Sequence, residues 1–202
     1  LHLHSPAPAL TRRPRHVRLP AARRVIFIAC PWTPVGGGMF KVADYLIQSQ
    51  AEDTRDLTGP AGESSTGLAG GERRARLLPL DTRGDGSAAA SLLTLARAIT
   101  RLARDRRTGR VAGVHVNMAE RLSLVRKSVL LAACRAMGIP VVLHLHAAQL
   151  HRAWPRFPRP LRWIVRQVFA LPAACIVLGR QSADFVVREL RVPRERVEVV
   201  IN

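Results

Sequence analysis

The sequence predicts an α/β protein, a doubly wound parallel sheet with helices on both faces. Two observations carry that expectation. Short apolar runs alternate with longer amphipathic stretches from residue 25 onward, the pattern of strands buried beneath crossover helices. Two of those runs also end in groups suited to ligand contact: Pro34-Val35-Gly36-Gly37-Gly38 follows the first, and Val141-Val142-Leu143-His144-Leu145-His146 closes a later one. In open α/β sheets, ligands gather just beyond the carboxyl ends of the strands.

Taken in order, residues 1–22 alternate Arg, Pro and His and read as a disordered basic arm, with the folded domain spanning 23–202. Residues 25–29 suit a buried strand, and Met39, Val42, Ala43, Leu46 and Ile47 then recur at helical spacing. Residues 50–75, rich in Gly, Ser, Thr and acids, read as a long loop. A strand is expected at 76–80, then a polar loop 81–87 leading to a helix over 88–104 with Leu92, Leu95, Ala96, Ile99 and Leu102 on one face. Residues 111–116 form the next strand. The helix over 120–137 is expected to turn Leu122, Val125, Val129, Ala132 and Ala136 inward and to stop at Gly138. After the His-tipped strand come a helix at 161–170, a strand at 174–178, a helix at 182–190 and a last strand at 197–201.

Composition narrows the function classes. With 48% hydrophobic and 23% charged residues, the 202-residue chain has the make-up of one globular domain and not of a disordered one. Its net charge of +18 is almost all arginine, since Lys41 and Lys127 are the only lysines. Such charge attracts anionic surfaces. A nucleic-acid module is disfavoured, because aromatics are only 4% and no helix-turn-helix, zinc or RNA-binding signature is present. Cys30, Cys134 and Cys175 stand singly in apolar runs, as small buried hydrophobes of a reducing cytosol. No apolar run reaches the roughly 18 residues of a membrane span.

Each candidate group has a bland reading beside the functional one. The glycine triplet opens a helix after a strand, so its amides could face a phosphate, or it could be a plain flexible turn. It lacks the GxGxxG spacing and the GK[ST] ending, which disfavours a dinucleotide site and a P-loop. His144 and His146 share one strand face. His144 suits a satisfied core position as well as a site, whereas His146, nearer the strand end, suits a hydrogen-bond donor or a proton handler near neutral pH. Zinc is not expected, for no third ligand accompanies them beyond His151. Asn117, Glu120, Arg121, Arg126 and Lys127 cluster where a strand gives way to a helix. Glu120 suits the helix dipole there and the three cations do not, which favours a substrate role for Arg121 over Arg126 and Lys127. The segment from Arg152 to Phe169 interleaves five arginines with Trp154, Phe157, Trp163 and Phe169. It reads as an amphipathic helix packed on the sheet or as a contact with an anionic membrane surface.

Pro34 to Gly38, Asp81-Thr82-Arg83-Gly84, Val114-His115-Val116-Asn117, Ala119-Glu120-Arg121, Arg126-Lys127, Pro140 to His146, Ile176-Val177-Leu178-Gly179 and the final Val192 to Asn202 occur in an order and spacing that resemble the N-terminal domain of family-4 glycosyltransferases. The resemblance covers most of residues 24–202. It implies a Rossmann-like sheet that is one half of a GT-B architecture, with the donor-binding C-terminal half beyond Asn202, and low turnover by this half alone. The first residue, Leu, also suits a fragment. What the resemblance implies further is retaining transfer from a nucleotide-sugar donor to a cell-envelope or lipid-linked glycan acceptor, on the cytoplasmic side, peripheral to the inner face of the membrane. No metal or cofactor is expected. By the same resemblance Gly37 and Gly38 face the donor diphosphate, His146 lies near the reacting sugar, and Asn117, Glu120, Arg121 and His144 contact the acceptor. Sugar-nucleotide epimerases and phosphorylases built on the GT-B frame are the competing enzyme reading, and a basic nucleic-acid or membrane-binding module the competing class.

Overall fold

The computed structural model describes residues 24–32, 37–56, 75–119, 122–146 and 149–200. The basic arm at 1–22, Gly36 of the glycine triplet, and the candidate acceptor residues Glu120 and Arg121 lie outside the described residues, as does 57–74 of the expected long loop. Six strands form one sheet: β1 (Val25–Cys30), β2 (Arg76–Asp81), β3 (Val111–Met118), β4 (Val141–Leu145), β5 (Ala174–Val177) and β6 (Val197–Val199). All neighbouring pairs are parallel, in the order β2-β1-β3-β4-β5-β6. The helices are α1 (Gly37–Asp56), α2 (Ala88–Arg107), α3 (Leu122–Ala136), α4 (Leu150–Ala153), α5 (Arg159–Ala170) and α6 (Arg180–Arg188). The fold is α/β and Rossmann-like, consistent with one half of a GT-B enzyme.

The order positions the site. After β2 the chain returns to the far side of β1, so the direction of winding reverses between β1 and β3. In such sheets the carboxyl ends of the two strands at the reversal part to leave a crevice. The central strands hold the core: Phe27, Val116, Leu143 and Val177 are wholly enclosed, as strands covered on both faces require. Local chemistry sets the helix ends. The Ser87 side chain accepts the Ala90 amide at the start of α2. Gly138, at φ 64°, supplies the left-handed residue that stops α3 before β4.

Two expectations need correction. The stretch 50–56 is helical, because α1 runs on to Asp56. Gln50 anchors this end of α1: its side chain donates to Ala75 O at 2.8 Å and accepts the Leu77 amide at 2.6 Å, tying α1 to β2. The helix faces are rotated from those expected. On α2 the inward residues are Ser91, Leu95, Ala98 and Leu102, with Leu92 and Ala96 exposed. On α3 they are Lys127, Leu130, Leu131 and Cys134, while Leu122, Val125 and Val129 are 64%, 61% and 48% exposed and Ala132 and Ala136 also face out. On the segment Arg152 to Phe169, packing explains most of the aromatics. Trp154 and Phe169 are buried, Arg162 and Arg166 lie over the Trp154 ring, and Trp154 Nε1 donates to Glu189. Trp163 and Ile164 alone of its large apolar side chains are at least half exposed.

The loop after β2 is tightly determined. The Asp81 carboxylate accepts the amides of Arg83 at 2.9 Å and Gly84 at 3.0 Å. Gly84 sits at φ 65°, and a Cβ there would come within 2.7 Å of Thr94 Oγ1. Gly84→Ala is therefore expected to lower the urea-derived stability by about 1–3 kcal/mol. Gly109, with a similar φ of 70° and open space around it, is the comparison. If Gly109→Ala costs as much, the Thr94 contact contributes nothing.

Candidate functional site

The candidate site is built from the carboxyl ends of β1, β2, β3 and β4, which a parallel sheet brings to one edge. At β1 the chain leaves Cys30 and reaches Trp32, whose amide donates to Asp81 Oδ1 at 3.4 Å and whose Nε1 donates back to Ile28 O at 3.2 Å. Trp32 meets Phe40 of α1 edge to face, with ring centroids 5.5 Å apart. Gly37 and Gly38 begin α1. The first amides of a helix have no partner within it, and the dipole there favours negative charge. No acidic residue occupies this first turn, and a Cβ on Gly38 would meet nothing within 4 Å. A side chain at Gly38 would therefore have room, at a helix end whose backbone donors lack partners within the helix.

At β3 and β4, strand alternation and parallel register converge. His115 and Asn117 share a face of β3; His144 lies on β4 opposite Asn117, and His146 follows two residues on. His115 and His144 meet at 5.5 Å between centroids, and His144 and His146 at 4.1 Å. The His146 amide donates to Met118 O at 2.8 Å, continuing the β3–β4 ladder past the strand end. His146 Nε2–H donates to Asn117 Oδ1 at 3.3 Å. Because a carboxamide oxygen can only accept, this bond selects the Nε2–H tautomer and leaves Nδ1 as an acceptor. His144 Nε2 is buried with no hydrogen-bond partner among the described residues.

Burial sets the charge of this cluster. His144 is pushed down to about 4, first by loss of solvent and then by His146 and His115. His146 is lowered by burial and by His115; His115 is lowered by burial, with a hydrogen bond to Asn117 in opposition. The three imidazoles are neutral near pH 7, so they act there by hydrogen bonding and not as a standing cation. That narrows the expectation of a proton handler near neutral pH.

Beside these strand ends lies a group that the sequence alone undervalues. Lys127 projects inward from α3 and is 2% exposed. Its Nζ donates to Ala29 O on β1 at 2.9 Å and to Thr82 Oγ1 just beyond β2, a hydroxyl that is itself buried. Burial drives its pKa down to about 7, against Cys30 and Asp81, which favour the charged form. Cys30 is pushed up to about 11 by burial and is an unreactive thiol. His115 was likewise not singled out, although His115 and Asn117 repeat on β3 the alternation of His144 and His146 on β4. Among the described residues, no three His, Cys, Asp or Glu side chains are grouped to hold a metal.

Of the expected site residues, Gly37 and Gly38 thus stand at the β1 end and Asn117, His144 and His146 stand together at the ends of β3 and β4. A doubly wound parallel sheet with backbone donors at the β1 end and neutral imidazoles at the β3 and β4 ends has the form of a Rossmann-like ligand-binding domain. Residues 36–202 match the model of Glycosyltransferase Family 4, and the chain belongs to that family. No curated protein matches the chain.

Proposed function

We propose that this domain forms the acceptor side of a retaining glycosyltransferase, which moves a sugar from a nucleotide-sugar donor to a cell-envelope or lipid-linked glycan acceptor. One observation carries the reading: the hydrogen-bonded pair of His146 and Asn117 lies on the same sheet edge as the first turn of α1, with β3 between. In this reading the amides of Gly37 and Gly38 face the donor diphosphate, and the leaving charge is stabilised by fixed donors and cations, without a metal. His146 contacts the reacting sugar. Asn117, His144, Glu120 and Arg121 contact the acceptor. The test is made on the complete reading frame that encodes this chain, incubated with a panel of labelled nucleotide sugars and envelope lipid extracts. Transfer with the anomeric configuration kept supports the reading; a folded protein that neither transfers nor hydrolyses any donor sinks it. Free isomerised sugar nucleotide, or phosphorolysis, would assign the fold's other chemistries instead.

The acceptor's location is part of the proposal. Among the described residues no helix is long and apolar enough to cross a membrane. Trp163 and Ile164 are 62% and 50% exposed, on and beside a segment that also presents the exposed Arg152, Arg156 and Arg159. Cationic and aromatic side chains together suit an anionic lipid surface on the cytoplasmic side. Phosphatidylglycerol vesicles are expected to bind the protein where phosphatidylcholine vesicles do not, and Trp163→Ala to weaken binding about fivefold. Equal co-sedimentation with both vesicle types would remove the membrane from the proposal.

A further inference from the structure

The buried amine of Lys127 is placed where the fold does not need one. An interior position on α3 between Leu130, Leu131 and Cys134 could be filled by an apolar side chain at no cost in stability, because burying an ammonium is expensive even when its hydrogen bonds are made. The side chain instead reaches across the sheet edge to two strand ends. It holds the Ala29 carbonyl, one residue before the end of β1, and the hydroxyl of Thr82, the first residue after β2. A second tie runs beside it: Asp81 Oδ1 accepts the amide of Trp32 while the same carboxylate organises Arg83 and Gly84. These two ties fix β1 to β2 at the last described points before Gly37 opens α1. The other charged groups near the amine are Arg126 and Asp81, with the Cys30 thiol beside them.

We infer that Lys127 is a positioning residue for phosphate recognition, pinning the departure of the chain from β1 so that the amides of Gly37 and Gly38 are held in one place. The inference rests on the reading of those amides as the donor-diphosphate contacts. It assigns Lys127 no contact with substrate. The pin acts through main chain and Thr82, so removing it leaves the amides present but no longer preorganised, and preorganisation is what an anion site of backbone donors depends on.

The test uses the complete reading frame, labelled with ¹⁵N-glycine, and inorganic pyrophosphate as the probe. Lys127→Met keeps the length and apolar stem of the side chain and removes both hydrogen bonds. Thr82→Val removes one acceptor at nearly constant shape and serves if the first variant does not fold. Either variant is expected to keep a single cooperative urea transition, to move or broaden the Gly37 and Gly38 amide signals in the free protein, and to weaken pyrophosphate binding about fivefold to tenfold. The signals of Gly109 and Gly138, at the opposite end of the sheet, are expected to stay in place. Lys127 and Thr82 variants that fold with unchanged Gly37 and Gly38 signals would overturn the inference, as would unchanged pyrophosphate affinity. Wild-type protein whose Gly37 and Gly38 signals ignore pyrophosphate would instead overturn the donor-phosphate reading, and the two failures are told apart by the free-protein spectrum.

Discussion

His146→Ala is expected to lower the rate of sugar transfer about 10²- to 10³-fold with little change in the folded state. The backbone part of the residue survives the substitution, because the bond from its amide to Met118 O does not involve the side chain. What is lost is a half-buried imidazole with one nitrogen committed to Asn117 and the other free to accept. The neutral form must be the working one, since burial and His115 both hold the pKa below its ordinary value of 6.5. The rate constant kcat is therefore expected to be flat through neutral pH and to fall only on the acid side of 6.5, as the ring is protonated and Nδ1 ceases to accept. Asn117→Leu frees the tautomer without removing the ring and should give a smaller loss. A kcat that rises through pH 7 to 8 would contradict the neutral-imidazole argument. A His146→Ala enzyme within threefold of wild type, by a kcat measurement on the complete reading frame, would remove His146 from the chemistry.

Strands were the most legible part of the chain, and the helix faces the least. A run such as Val25 to Ala29 is apolar throughout, so no choice of face enters and its burial in a two-sided sheet follows directly. A helix requires a choice of face, and on α3 a lysine sits in the inward stripe. Lys127 makes the true inner face look polar, and the spacing of Leu122, Val125 and Val129 predicts the roughly opposite face as inward in its place. Acids had a similar effect near the end of α1, where Glu52, Asp53 and Asp56 suggested a loop within what is a continuous helix. The site was half legible for a related reason. The glycine triplet and the two histidines of β4 announce themselves by type. The pairing of His115 and Asn117 with them depends on the register between β3 and β4, a non-local fact that spacing along the chain does not contain. Nor does spacing reveal that Thr82 and Ala29 lie within reach of one amine.

That amine gives the second large expectation, a stability that climbs with pH across the neutral range. In the unfolded chain a lysine releases its proton near 10.5, whereas burial has pulled Lys127 down to about 7 in the fold. Between those values the unfolded state binds more protons, so the free energy of unfolding rises with pH. From pH 7 to pH 9 the Lys127 part of the gain integrates to about 2 kcal/mol. From about pH 8 upward the trend is opposed by thiols, because burial pushes Cys30 up to about 11 and Cys134 and Cys175 to about 12 from the ordinary 9.0, so the unfolded state loses those protons first. Below 6.5 the histidines continue the loss: His115, His144 and His146 resist protonation in the fold and accept it when unfolded. Urea unfolding at intervals from pH 5 to pH 8 should therefore show continuously falling stability toward acid. Lys127→Met separates the contributions. It should flatten the curve between pH 7 and pH 8 and keep the histidine limb below 6.5. Near pH 7 it is expected to lie close to wild type, since relief of the buried amine offsets the two acceptors left unpaired, Ala29 O and Thr82 Oγ1. An unchanged slope between pH 7 and pH 8 in that variant would mean that Lys127 keeps an ordinary affinity for its proton and is not enclosed as the packing of α3 requires.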